Sequence, residues 1–392
     1  YIPITKESIR THINSARDAL LNYFLKTKNY SPINGKHMFL QGSPKLDKKN
    51  GVFIGRLSGI SAHYIPKLFL NNRKPSWNTN CIEDWEKKVD TIIKETVGEK
   101  MTIIAGIPSW VQMYFEKIVS NENKTIKEVF PELSLYVYGG VSFDPYKSTF
   151  DKLFGKKIDT LATFPASEGF FGYQDNFNDD KTDLLLLLNN DIFYEFIQAE
   201  DFLKGEYERI TLKDVQVNVN YLLIISTSAG LWGYNIGDTV KFTSTKPYRL
   251  IVSGRIKHFL SAFGEHVISE EVEKSMKVAT NNHNVTIREF TVAPNINPKE
   301  GLPCHEWYVE FETQPEDIKT FSKTLETEML NQNIYYKDLI HGGIIKPLEV
   351  ISVKKGGFND YMKSVGRLGG QNKVPRLSND RKIADKLNSL NS

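Results

Sequence analysis

The chain of 392 residues holds only two cysteines, Cys81 and Cys304. They lie far apart and lack metal spacing, which argues against a disulfide framework and fits a reducing compartment such as the cytoplasm. No apolar run approaches the about 18 residues that a membrane-spanning helix needs, and the longest, 184–188, is strand-sized. No basic block marks a nucleic-acid tail, and the aromatic residues form no repeated stacking motif. Neither nucleic acid nor a membrane is therefore expected as a partner, and a net charge of +3 spread over this length adds nothing. The eight histidines show no metal spacing. Internal repeats and low-complexity tracts are absent. So is an initiator methionine: the chain starts at Tyr1, and Ile2-Pro-Ile-Thr5 reads like the middle of a domain, so residues are expected upstream.

What is present is enough for two cores, because 392 residues exceed what one usually holds. A helix over 5–24 places Ile9, Ile13, Ala16, Ala19 and Leu20 on one face. Segment 37–40 reads as a strand and 45–50 as a polar loop. A helix marked by Trp85, Val89, Ile92, Ile93 and Val97, opened by Glu83 and Asp84, leads to a buried strand over 101–105. Turn 106–109, helix 110–119, strand 133–138, helix 144–154 and strand 157–164 continue this rhythm, the pattern of parallel βαβ units. It puts Gly139-Gly140 and 165–168 at carboxyl ends of strands, where open α/β sheets collect ligands. Short strands without intervening helices follow to 252, suggesting a small barrel or antiparallel layer, with 234–238 as a turn. The remaining residues read helix, strand, strand, helix, strand, then a Gly- and Lys-rich tail over 356–375 and a last helix. That order suggests a split βαβ arrangement. The expected fold is α/β, with a large domain over 1–253 that combines parallel strands and a small barrel layer, and a smaller α+β domain over 254–392.

Within this frame, Thr163-Phe-Pro-Ala-Ser-Glu-Gly-Phe-Phe-Gly172 is where a strand end becomes a candidate site. Ser167 and Glu168 put a hydroxyl beside a carboxylate, suited to a metal-bound phosphate, and Phe164 offers a flat face to a base. The same pair also suits a turn with a helix cap. Gly139 and Gly140 also suit a plain turn, and Asp238 a Gly-Asp turn. Trp110, Met113 and Tyr114 suit an apolar channel or a core stripe. Lys373 lies between Gly369-Gly370 and Val374-Pro375, where a loop can swing; surface lysines are common, and position alone raises this one.

Taken in order, Gly139-Gly140, Phe164 to Glu168, Tyr234-Asn-Ile-Gly237-Asp238 and Lys373-Val-Pro-Arg376 resemble the motifs of the adenylate-forming superfamily of acyl-CoA synthetases, luciferases and adenylation domains. Within it the chain is most similar to the acyl acid amido synthetases, the auxin-responsive Gretchen Hagen group, over essentially its whole length. That group's Tyr-x-x-Ser-Glu-x-x-x-Gly matches Phe164 to Gly172, its Tyr-Arg-x-Gly-Asp matches Tyr234 to Asp238 with Asn235 in place of Arg, and its Lys-x-Pro-Arg matches Lys373 to Arg376.

The resemblance implies ATP and Mg²⁺ as cofactors, a carboxylic acid and an amino acid or other amine as substrates, and an amide and AMP as products. It assigns nucleotide contacts to Gly139, Gly140, Val141, Phe164, Ala166, Ser167, Glu168, Asp238 and Arg255. Glu168 holds the metal and Asp238 takes the ribose hydroxyls, while the candidate acyl pocket of Trp110, Met113 and Tyr114 rests on the helix pattern alone, which a core stripe fits equally. Lys373 is the mobile lysine that bridges the substrate carboxylate and the α-phosphate, exchanged by rotation about Gly254 and Arg255. The group's phosphate loop falls before Tyr1 on this alignment. An acyl-CoA ligase and a non-catalytic nucleotide or acid binder are the alternatives.

Overall fold

A computed structural model describes residues 1–65, 70–139, 143, 146–177, 182–255, 262–263, 265, 267–298, 300–341, 343–369, 372–378 and 380–391, with only the backbone of Ser109, Ser148, Leu203, Lys204, Arg255 and Asn391. The first helix, Lys6–Thr27, is capped by Thr5, whose hydroxyl accepts from the Ser8 amide, and Ile9, His12, Ala19 and Tyr23 form its buried face.

Seventeen strands are described. They are β1 (Lys36–Phe39), β2 (Asp47–Lys49), β3 (Val52–Ile54), β4 (Arg73–Lys74), β5 (Met101–Ala105), β6 (Leu135–Gly139), β7 (Asp159–Ala166), β8 (Gly169–Tyr173), β9 (Leu184–Leu186), β10 (Ile192–Gln198), β11 (Ile210–Thr211), β12 (Asn220–Thr227), β13 (Tyr234–Thr245), β14 (Tyr248–Arg255), β15 (Thr286–Asn295), β16 (Cys304–Thr313) and β17 (Glu349–Val353). Twelve join one sheet in the order β11-β10-β12-β13-β14-β9-β8-β7-β6-β5-β1-β4. From β4 to β7 the pairing is parallel. Helices Trp85–Thr96, Pro108–Glu122 and Lys147–Phe154 alternate in sequence with β5, β6 and β7, as the βαβ rhythm predicts. Asp84 caps the first of these, accepting from the Lys87 amide at 2.8 Å. The loop expected over 45–50 is instead part of the β2–β3 hairpin.

At Ser167-Glu168 the chain reverses, and β8 returns antiparallel to β7. All pairing from there to β11 is antiparallel. In sheet order β8 and β10 are five strand steps apart, which in a flat sheet is about 24 Å at about 4.8 Å per step. Yet the Phe171 and Tyr194 rings stand 6.4 Å apart, and Asn190 Nδ2 donates to the Phe170 carbonyl at 2.5 Å. The antiparallel half therefore curls back on itself as the expected small barrel, with Phe196, Tyr221, Leu223, Val240 and Phe242 in its share of the core. Gly169 lets this seam close tightly, since a Cβ there would stand 2.5 Å from Ile192 Cδ1 and push that side-chain tip aside.

A second sheet, β15-β16-β17, pairs antiparallel and then parallel. It shares a core with helices Ser269–Asn282 and Ile318–Gln332 through Val272, Met276, Trp307, Phe321 and Leu325. The tail is more ordered than its glycines suggest. Helix Gly357–Ser364 forms after Gly356, which takes φ +83° just outside it, and helix Lys382–Asn391 closes the described chain. No helix among the described residues is long and apolar enough to cross a membrane.

Candidate functional site

The strand-end motif is built on close packing. Gly139 ends β6 opposite Thr163, and a Cβ there would stand 2.7 Å from the Thr163 carbonyl oxygen and 2.9 Å from its Oγ1. Side chains alternate along β7, so Phe164 turns into the core, 5% exposed, with its ring edge-to-face on Phe171 at 4.9 Å. Pro165 and Ser167 face solvent, and Ala166 and Glu168 are half-buried in and beside the hairpin turn. His12 reaches across from the first helix and binds the Ala166 carbonyl through Nε2 at 3.0 Å. Gly140 and Val141 lie outside the described residues.

The segment expected as a turn at 234–238 is a bulge inside β13. Leu222 pairs with Thr239 but Ile224 with Asn235, so two residues of β12 face four of β13. Gly237 takes φ +80° in the bulge, and its amide donates to Asn235 Oδ1 at 2.7 Å. Asp238 is buried and pairs in register with Arg255 of β14. Barrel closure relates this bulge to the first motif: Phe164 packs on Phe171, Phe171 faces Tyr194, and Tyr194 pairs through Ile225 to Tyr234.

The tail lysine lies elsewhere on the parallel half. A cleft of about 80 Å³ runs between helix Pro108–Glu122, which supplies Trp110 and Met113, and the tail, which supplies Gly369, Asn372 and the exposed Lys373. Tyr114 is not in it. That ring is fully buried, and its hydroxyl pairs with Thr96 Oγ1 at 2.6 Å. The lysine loop is pinned three residues on. Arg376 is buried, with Nε on Glu273 at 3.2 Å, Nη1 on Glu289 and on the Phe290 carbonyl, and Nη2 on the Tyr146 hydroxyl at 3.0 Å. Burial pulls its pKa down, but Glu289, with Tyr146 and Glu273, outweighs this and holds it well above the usual arginine value. Beside it, Arg288 Nη1 pairs with Glu116 Oε2 at 2.8 Å, a second link from the small sheet to helix Pro108–Glu122.

Residues 185–255 match the GH3 family central domain, and residues 270–382 match the GH3 family C-terminal domain. The chain thus carries the central and C-terminal domains of the GH3 family. It is 26% identical over 329 residues to a jasmonoyl–L-amino acid synthetase of Nicotiana attenuata, covering 76% of this chain and 55% of that one. A probable indole-3-acetic acid-amido synthetase of Oryza sativa subsp. japonica is 24% identical over 301 residues, 70% of this chain and 47% of that one. The chain thus spans about half the length of these curated GH3 relatives. Among solved structures, a GH3 acyl acid amido synthetase in complex with 2,4-DB superposes with a TM-score of 0.78 at 16% identity, over 99% of this chain and 79% of that one. A 2-hydroxyisobutyryl-CoA ligase superposes at 0.56 and 12% identity, over 91% of this chain and 68% of that one. The fold is that of the adenylate-forming GH3 proteins.

Two residues of this GH3 chain escape a reading of the sequence. Arg376 sits in the quoted motif, yet an arginine is ordinarily a surface residue, and the carboxylates that bury it are 87 and 103 positions away. His12 looks like part of an amphipathic stripe, and only the hairpin it touches reveals its use.

Proposed function

We propose that this GH3 protein activates a carboxylic acid with ATP as an acyl-adenylate and transfers the acyl group to an amine, an amino acid above all. The observation that carries the reading is the cleft that sets Lys373 against Trp110 and Met113, on the helix that follows parallel strand β5. A free carboxylate is a poor electrophile. A cation beside it stabilises the charge that grows as its oxygen attacks the α-phosphorus of ATP and pyrophosphate leaves. In that role Lys373 binds the carboxylate and α-phosphate, while Trp110 and Met113 border the acyl chain.

The nucleotide is assigned to the strand-end motif. Gly139, Ala166 and Ser167 approach it by backbone and hydroxyl, with Gly140, Val141 and Arg255 alongside, and Phe164 backs the base from the core side. Asp238 takes the ribose hydroxyls, since a carboxylate accepts two hydrogen bonds at once. Glu168 is a single carboxylate at a turn, which suits Mg²⁺: that ion keeps several waters and takes one or two protein oxygens beside nucleotide phosphates. The amine then attacks the acyl carbonyl, loses a proton and expels AMP, giving the amide. The two free cysteines, Cys81 and Cys304, suit a cytoplasmic setting.

The test is ATP-pyrophosphate exchange by the full-length protein over a panel of carboxylic acids, with Lys373→Ala as the variant. Exchange that depends on an acid and falls by about a hundredfold in the variant supports the reading. Equal exchange in both proteins refutes the role of Lys373. Replacing the amino acid by CoA separates amide from thioester formation.

A further inference from the structure

The lysine assigned above to adenylation is exposed, but it stands two residues before a firmly held segment. The Val292 amide donates to the Arg376 carbonyl at 2.8 Å, the Ser378 amide to the Val292 carbonyl at 3.0 Å, and Thr291 Oγ1 to the Pro375 carbonyl at 2.7 Å. Residues 375–378 therefore run along β15 like an added strand. Arg376 fixes that segment at its centre. Three of its partners, Glu273, Glu289 and the Phe290 carbonyl, belong to the small body. The fourth, the Tyr146 hydroxyl, comes from the residue that precedes helix Lys147–Phe154 of the large body, and the same hydroxyl donates to Glu289 Oε2 at 3.3 Å. One oxygen thus bridges both bodies at a buried point, and the Arg288 to Glu116 pair is a second, more exposed link.

We propose that Tyr146 and Arg376 are positioning residues: their contact selects the arrangement of the two bodies in which Lys373 faces helix Pro108–Glu122, the arrangement that serves adenylation. This rests on the function proposed above. Three residues of extended chain span about 10 Å, so a displacement at Arg376 carries directly to Lys373. Turning the small body away breaks the hydroxyl's two bonds together, whereas Arg376 keeps its other three. The contact therefore weighs one arrangement against the other without holding either body folded.

Tyr146→Phe removes the bridging oxygen and keeps the ring. The expected result is an about tenfold fall in kcat for ATP-pyrophosphate exchange with KM for ATP unchanged, the weight of one hydrogen bond to a charged group. Amine attack on a supplied acyl-adenylate stays within about twofold of the unsubstituted protein. A merely structural role lowers both half-reactions together, and that outcome, like unchanged exchange, overturns the proposal. A second readout is independent of activity: the electron-electron distance between spin labels at Lys124→Cys and Lys319→Cys in a Cys81→Ser background. Its distribution broadens when Tyr146→Phe is added, and further with Glu116→Gln; an unchanged distribution overturns the proposal. If the unsubstituted protein exchanges with no acid, the function fails, and the spin-label distances still decide the contact.

Discussion

Gly369→Ala is the substitution that reads the tail's docking most directly. Gly369 lies four residues before Lys373 at φ +79°, and a Cβ there would meet the Cδ2 and Cγ of Trp85 at 2.5 Å and its Cβ at 2.8 Å. These are the root of the indole, and Trp85 is 6% exposed and wedged against Trp110 with ring centroids 4.7 Å apart, so it has little room to yield. The left-handed backbone costs an alanine about 1 kcal/mol and the overlap about 1–3 kcal/mol more, together about 2–4 kcal/mol. Lifting the loop off Trp85 relieves both terms at once, which is a local change and leaves the two cores intact. Since about 1.4 kcal/mol is a factor of ten in population, even the lower figure leaves only a few per cent of the molecules with the loop docked, if docking and undocking are near balance beforehand. The expected outcome is a more than tenfold loss of ATP-pyrophosphate exchange, a thermal midpoint within about 4 °C of the parent, and tryptophan fluorescence more open to acrylamide quenching. Parental exchange together with parental quenching refutes the reasoning.

Gly139→Ala forces β6 away from the Thr163 carbonyl, and overpacking of this kind costs about 1–3 kcal/mol; urea unfolding should show it as a lower midpoint, and nucleotide binding by calorimetry should weaken in parallel. Glu271, capping the amide of Ile268 at 2.9 Å, has its pKa raised by burial to about 7. The folded state then binds more protons than the unfolded state between about pH 4.5 and 7, so its contribution is full below that window and is lost as pH rises through it, by at most about 3.5 kcal/mol at about 1.4 kcal/mol per unit. Thermal melts from pH 5 to 8 should therefore fall more steeply for the unsubstituted protein than for Glu271→Gln, and parallel curves would remove Glu271 as the cause.

The sequence made the parallel half legible because its signals are local. Trp85, Val89, Ile92 and Ile93 fall on one face of their helix, and β5 is a short apolar run between a helix and a turn. The order of the motifs survived for the same reason. What escaped depends on partners far away in the chain. The bulge in β13 looks like a turn because Gly237 and Asp238 are turn residues, and only the register against β12 shows the strand continuing through them. Helix Gly357–Ser364 was hidden by the glycines that begin it. Of the three residues read as an acyl channel, Trp110 and Met113 border the cleft, while Tyr114 points the other way, where Thr96 satisfies its hydroxyl. A helical stripe gives a face but not which side of that face is open.

The seam where Gly169 meets Ile192 also limits how this chain can be taken apart. The segment that matches the GH3 central domain carries β9 to β14 but not β8, the strand that covers Tyr194 and Ile192 from the side. Cut at that boundary, the piece would unroll into an open curved ribbon with Tyr194 bare. Expressed from Asp159 onward, it would carry its own lid, and the ten residues named at the outset as a site would double as the stave that closes the cask.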